Sequence, residues 1–150
     1  MQDADGATDA GEPPAPRRLR ILVVDDHMDG GTLFSVVLEA LGYDTKLLAN
    51  ADNLVEEVRT FKPDAVFLDL IMPGMDGREA ARRLRREADF RDVFLIAHTA
   101  CGRPRDIEEC FNIGFDAHLL KPVQENKLHS VLAEVGKRAY LGTIPRNSIG

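Results

Sequence analysis

Asp69 closes the apolar run Ala65-Val66-Phe67-Leu68. A carboxylate at the end of an otherwise buried strand stands at the edge of the core, with water or a ligand on one side. It has company. The run Ile21-Leu22-Val23-Val24 ends in Asp25-Asp26, the run Val93 to Ala97 ends in His98-Thr99, and the run Ala117 to Leu120 ends in Lys121-Pro122. If these strands lie parallel in one sheet, three carboxylates, a hydroxyl and an ammonium converge at one edge. That set suits binding of a divalent cation and acceptance of a phosphoryl group.

Three carboxylates held close repel one another, and a divalent cation removes that cost. All-oxygen ligands favour magnesium, with Mn2+ as an alternative ion, and magnesium takes only one or two protein carboxylates while keeping several waters. His27 stands beside the acidic pair, but a lone histidine there is expected to be a surface or capping residue. A carboxylate oxygen can attack phosphorus to give an aspartyl phosphate. Lys121 can stabilise the charge that builds on the phosphoryl oxygens, and the Thr99 hydroxyl can donate a hydrogen bond to one of them. Each residue alone has a plainer reading: a helix N-cap for Asp25 or Asp26, a loop hydroxyl for Thr99, a solvated charge for Lys121. Four strand ends carrying complementary groups argue for the site.

Those residues must be positioned by regular elements. Strands are predicted over Arg20–Val24, Asp44–Leu48, Ala65–Leu68, Val93–Ala97 and Ala117–Leu120. All but the second are apolar enough for central strands of a parallel sheet, and the mixed Asp44–Leu48 reads as an edge. Helical periodicity fills the gaps. Leu33, Val37 and Leu41 repeat at i+4, with Phe34 and Leu38 beside them. Leu54, Val55 and Val58 mark a second helix, capped by Asp52 or Asn53. Ala80, Ala81 and Leu84 mark a third, with Arg82, Arg83, Arg85 and Arg86 on its other side. Pro104 opens a fourth that Gly114 ends, and Leu128, Val131, Leu132 and Val135 mark the last. The pattern is five βα units, an α/β fold with helices on both faces of one doubly wound parallel sheet. Ligands of such sheets bind outside the carboxyl ends of the strands, where the polar residues above all lie.

The 150 residues suit one domain with flanking tails: 1–17 as an acidic, Pro- and Gly-rich tail, 18–140 as the domain and 141–150 as a second tail. The chain is 44% hydrophobic and 29% charged, and no run approaches the roughly 20 apolar residues that span a bilayer. The N-terminus lacks the apolar segment of a secretory signal, so a cytoplasmic protein without a membrane partner is expected. Cys101 and Cys110 offer neither a disulfide framework nor metal-ligand spacing. A net charge of −6 argues against direct nucleic-acid binding.

The sequence resembles the receiver domain of the two-component response-regulator family, over about Arg20 to Ala139. The resemblance rests on Asp25-Asp26, on Asp69, on Met72-Pro73-Gly74-Met75-Asp76-Gly77, on Thr99-Ala100 and on Lys121-Pro122, in that order. It implies a (βα)5 flavodoxin-like sheet with strand order 2-1-3-4-5. It implies Asp69 as phosphoacceptor, with magnesium held by Asp26, Asp69 and the Ile71 backbone carbonyl, and by Asp25 through water. It also implies phosphoryl contacts from Thr99 and Lys121, a cis Lys121–Pro122 bond, and switching of the surface formed by the fourth helix, fifth strand and fifth helix. The partner would be a histidine kinase or a histidine phosphotransfer protein. His118 occupies the switch position on the fifth strand where Tyr or Phe is usual.

The expected function is therefore that of a phosphoacceptor module, not an enzyme beyond its own phosphorylation and dephosphorylation. A receiver cut from a hybrid histidine kinase is an alternative setting for the same domain. A magnesium phosphatase with an aspartate nucleophile is a weaker one, because the Asp69 segment lacks an Asp-x-Asp pattern. A receiver that never takes up phosphate would have no use for the complete acidic set. The P-loop pattern is absent. With no output segment after the last helical pattern, direct transcription control is not expected from this chain, and its downstream target is not legible.

Overall fold

The computed structural model describes residues 17–141; of the tails expected at 1–17 and 141–150, residues 1–16 and 142–150 lie outside them. Five parallel strands alternate with five helices: β1 Arg20–Val24, α1 Met28–Ala40, β2 Asp44–Leu48, α2 Leu54–Phe61, β3 Ala65–Leu68, α3 Gly77–Arg86, β4 Phe94–Thr99, α4 Pro104–Ile113, β5 Ala117–Leu120 and α5 Glu125–Leu141. A 3-10 turn at Ala88–Phe90 joins α3 to β4. The sheet order is β2-β1-β3-β4-β5, with every pairing parallel. This is the flavodoxin-like order expected from the sequence.

Alternation along the strands builds two cores. Leu22 and Val24 of β1, with Val66, Leu68, Leu95 and Ala97, pack under α2, α3 and α4 through Leu54, Val58, Ala80, Leu84 and Cys110. Ile21 and Val23, with Ala65, Phe67, Phe94 and Ile96, pack under α1 and α5 through Leu38, Leu128, Leu132 and Val135. Strands buried on both faces have no polar side to show, which is why they read as continuous apolar runs.

Three expectations need correction. The fourth strand runs to Thr99, beyond the predicted Ala97, because Lys121 N–H bonds the Thr99 carbonyl at 2.8 Å and extends the ladder. β5 is an edge strand, as the expected order 2-1-3-4-5 has it, although its apolar run alone reads as central, and Leu120 is half exposed. On α1 the sheet is met by Gly31, Ser35 and Leu38, with Phe34 packed beside them, while the predicted stripe Leu33, Val37 and Leu41 faces solvent. That helix is apolar on more faces than the sheet can cover.

The boundaries behave as their chemistry dictates. Pro104 sits in the first turn of α4, and Gly114 ends that helix with φ 126°. Asn53 holds the N-cap position of α2 without a side-chain bond. Arg17 is fixed by a pair of bonds to Asp64, at 2.6 and 2.9 Å, and its carbonyl accepts from the Tyr140 hydroxyl. A buried carboxylate ties the far end of the sheet together: Asp116 accepts from Arg85 at 2.9 Å, from Arg138 at 3.2 Å and from the Leu95 N–H.

Candidate functional site

The acidic residues are placed by the sheet's own ladder. Asp25 N–H bonds the Leu48 carbonyl at the end of β2, and Asp69 N–H bonds the Val24 carbonyl at the end of β1. Each is therefore the first residue past its strand with a fixed backbone and a side chain at the carboxyl edge. Asp25 and Asp69 are buried, and Asp26 is exposed. One ligand oxygen from each of the three lies within 4.8 Å of the others. Asp25, Asp26 and Asp69 are the group of metal-ligating side chains found among the described residues.

The loops after the strands turn on the same carboxylates. Asp25 Oδ1 accepts from the His27 N–H at 2.9 Å, and Asp69 Oδ1 accepts from the Ile71 N–H at 3.2 Å. Such side-chain bonds two residues on are how aspartate stabilises a turn. His27, not Asp25 or Asp26, caps α1: its Nδ1 accepts from the Gly30 N–H at 3.1 Å. This frees both carboxylates from the plainer role of N-cap. After Asp69 the chain folds back so tightly that Gly77 N–H bonds the Leu70 carbonyl. A Cβ at Gly77 would collide with the Asp69 carbonyl and lie 2.8 Å from Leu70 Cα. Glycine is required there by close approach, and Asp76 then caps α3 by accepting from the Arg78 N–H at 2.7 Å.

Lys121 reaches across from β5. Its Nζ donates to Asp25 Oδ2 at 2.7 Å and to Asp69 Oδ2 at 3.0 Å. Burial alone would lower the pKa of this ammonium, but the hydrogen bonds and charges of the two carboxylates outweigh it and raise the pKa above the ordinary value. The Lys121–Pro122 peptide is cis. Thr99 is fully buried at the end of β4, and its Oγ1 accepts from the Cys101 N–H at 3.3 Å. His118, on β5, places Nε2 2.7 Å from the Cys101 carbonyl oxygen. Ile71 is exposed beside Asp69.

His98 was legible only as part of a strand end. The structure buries it in the α1–α5 core, with its ring 4.7 Å from Phe34 and 6.0 Å from Phe67. Burial, and then the Lys121 ammonium, push its pKa down to about 4 against the opposing pull of Asp25 and Asp69. The signal was present in the alternation Phe94, Ile96, His98, which puts all three on one face. The close approach at Gly77 left no sequence signal beyond a loop glycine.

The arrangement can do two things chemically. Three carboxylates with all-oxygen donors fit a hard divalent cation. A buried, oriented carboxylate with an ammonium beside it fits an acceptor whose product is anionic.

The response regulator receiver domain model matches residues 21–133. The DNA-binding response regulator MtrA of Mycobacterium tuberculosis (strain ATCC 25618 / H37Rv) is 34% identical over 111 residues, 74% of this chain and 47% of that protein. The chain thus spans about half the length of the curated response regulators it matches. Hybrid signal transduction histidine kinase L of Dictyostelium discoideum is 31% identical over 137 residues, 87% of this chain and 8% of that protein. Among solved structures, the receiver domain of sensor histidine kinase PA1611 from Pseudomonas aeruginosa PAO1, with a magnesium ion coordinated in the active site cleft, superposes with a TM-score of 0.72 at 30% identity. That match covers 80% of this chain and 99% of the other.

Proposed function

The chain belongs to the response-regulator receiver family, and from that premise we propose that Asp69 accepts a phosphoryl group in a two-component or phosphorelay pathway. The single observation that carries this reading is Lys121 Nζ lying within 3.0 Å of both Asp25 and Asp69 while Asp26 completes the acidic trio.

Asp25, Asp26 and Asp69 would hold Mg2+, with the Ile71 carbonyl as a backbone ligand. The magnesium-bearing PA1611 receiver supports this choice by likeness. When bound, such an ion screens the carboxylates from one another and from the incoming phosphoryl oxygens. An Asp69 oxygen attacks phosphorus as the donor's P–N bond breaks, the electron pair leaving with the donor imidazole. Lys121 stabilises the anionic oxygens and Thr99 donates its hydroxyl to one of them. Phosphate on Asp69 then draws Thr99 away from the Cys101 N–H, and His118 carries the change to the α4–β5–α5 surface.

A histidine kinase or histidine phosphotransfer protein is the partner of choice. The donor must bring its phosphorus to the edge where α1 begins. That helix and its C-cap expose Met28, Leu33, Val36, Val37 and Leu41, five of the nine large apolar side chains exposed among the described residues. Exposed apolar side chains gathered on one helix beside a reactive edge suit a protein contact. We place the donor's contact surface there. The net charge of −6 is the reason no nucleic acid is assigned to this domain, although MtrA is by name DNA-binding. Among the described residues no helix is long and apolar enough to cross a membrane, and a cytoplasmic site of action is part of the proposal.

Incubation with acetyl phosphate and Mg2+ tests the reading. A stoichiometric gain of one phosphoryl mass, abolished by a chelator, is expected. Catalytic release of phosphate without a trapped adduct would favour the aspartate-nucleophile phosphatase instead.

A further inference from the structure

The β4–α4 loop is held at both sides of a single residue. Cys101 donates its N–H to Thr99 Oγ1 at 3.3 Å, and its carbonyl lies 2.7 Å from His118 Nε2. A carbonyl oxygen only accepts, so Nε2 carries the hydrogen and Nδ1 is the open nitrogen of the neutral ring. The loop lies directly on β5: a Cβ at Gly102 would come within 2.7 Å of Leu120 Cδ1. A groove of about 230 Å³, lined by Ile107, His118, Leu120, Val123 and Lys127 among others, opens beside the ring. The ring is half-buried, so solvent protons can reach it.

We infer that His118 is a proton-sensitive latch on the β4–α4 loop, which tunes how readily the phosphoryl-sensing Thr99 can let go of Cys101. The inference rests on Asp69 being the acceptor, and adds a regulator to that site. A proton from bulk water binds Nδ1, and no other bond forms or breaks. The ring becomes a cation that still donates through Nε2, and a charge-assisted hydrogen bond is roughly twice as strong as a neutral one. The strengthened bond stabilises the loop arrangement in which Cys101 also holds Thr99. Thr99 must leave that arrangement to reach a phosphoryl group. Acid therefore opposes the switch. Imidazole is the side chain suited to this, since its charge changes in the physiological range, whereas Tyr or Phe at the same place could not respond.

Ionisable groups lie on each element around the ring, Glu109 of α4 being engaged by Arg78 at 2.8 Å and Glu125 opening α5. The loop contributes the Cys101 thiol. The N-cap and first turn of α4 contribute Arg103 and Asp106, which pair with each other at 3.0 Å, and Arg105, with Glu108 following. From α5, Lys127 lines the groove, and Lys121 at the end of β5 is engaged by Asp25 and Asp69. The strand neighbour across the ladder is Ala97, which is uncharged.

The test compares wild type with His118→Gln, which keeps an N–H donor without titrating near neutrality, and with His118→Tyr as a second non-titrating donor. Two readouts are taken between pH 5.5 and 8. The first, without metal, follows the ring nitrogens and the Cys101 amide by NMR; the Cys101 shift is expected to track the His118 titration. The second is affinity for beryllofluoride with Mg2+, expressed as the ratio of wild type to variant at each pH. We expect that ratio to fall about threefold to tenfold on acidification, as the protonated latch strengthens. A constant ratio, a ratio that rises in acid, or a Cys101 amide indifferent to the His118 titration would overturn the latch and leave the acceptor reading intact. Failure of all three proteins to bind beryllofluoride would overturn both.

Discussion

Lys121 Nζ lies 2.7 Å from Asp25, closer than the 3.0 Å that separates it from Asp69, the residue it would serve in phosphoryl transfer. The ammonium thus neutralises part of an acidic cluster that would otherwise repel itself. A divalent cation bound to the same carboxylates competes with it for Asp25 and Asp69. Lys121→Ala is expected to bind Mg2+ about tenfold more tightly, an increment of ~1.4 kcal/mol. Its phosphorylation by acetyl phosphate is expected to slow by about a hundredfold, as loss of one charge-stabilising group does elsewhere. Calorimetric Mg2+ titration checks the first part; unchanged or weaker Mg2+ binding would show that the ammonium and the cation do not compete.

Two glycines on helices give opposite expectations. At Gly77 a methyl group would run into the Asp69 carbonyl, whereas at Gly136 nothing lies within 4 Å of the added atom. Gly77→Ala should cost about 2 kcal/mol in urea unfolding, in the range of overpacked sites, and should weaken Mg2+ binding by moving Asp69. Gly136→Ala, within α5, should gain up to ~1 kcal/mol from helix propensity and leave Mg2+ binding unchanged. Equal effects of the two substitutions would refute the close approach.

His98 links stability to pH. Its folded pKa is about 4, and an exposed histidine titrates near 6.5, so the unfolded chain takes up the proton first. The stability it contributes is complete above about pH 6.5. It is lost as pH falls toward 4, at ~1.4 kcal/mol per unit, or ~3 kcal/mol in all. His98→Phe keeps the packing against Phe34 and Phe67 and removes the titration. Carboxylates act equally in both proteins, so the difference in unfolding free energy between them isolates His98. A difference that is flat from pH 7 to 4 would contradict its burial as a neutral ring.

The exposed stripe of α1 separates partner contact from chemistry. Leu33→Asp and Val37→Asp should each slow phosphoryl transfer from a phosphohistidine protein by about tenfold or more, as loss of a central apolar anchor does. Both should leave acetyl phosphate labelling unchanged, since neither side chain belongs to the acidic edge. Equal loss with both donors would place the defect in folding or in the site.

Much of this was legible in the sequence, for a definable reason. Asp25, Asp69 and Lys121 each follow an apolar run, and in a parallel sheet the end of every such run is the same edge. Periodicity could mark the helices but not choose their buried face. On α1 both the Phe34–Leu38 and the Leu33–Val37–Leu41 stripes are apolar, and only packing on β1 and β2 decides that the second faces solvent. The preference of Lys121 for Asp25 spans 96 positions and has no local signature. Nor does the link from Thr99 through Cys101 to His118, because it runs through backbone atoms that every residue possesses.

The central claim is that Asp69 carries the phosphoryl group. Wild type and Asp69→Asn are treated with acetyl phosphate and Mg2+, the acyl phosphate is trapped by borohydride reduction, and the labelled peptide is mapped by mass spectrometry. The account predicts a single label at Asp69 in the wild type and none in Asp69→Asn, with Asp26→Asn strongly reduced through loss of the cation. Undiminished labelling of Asp69→Asn, or a label mapped to another residue of the wild type, would contradict it.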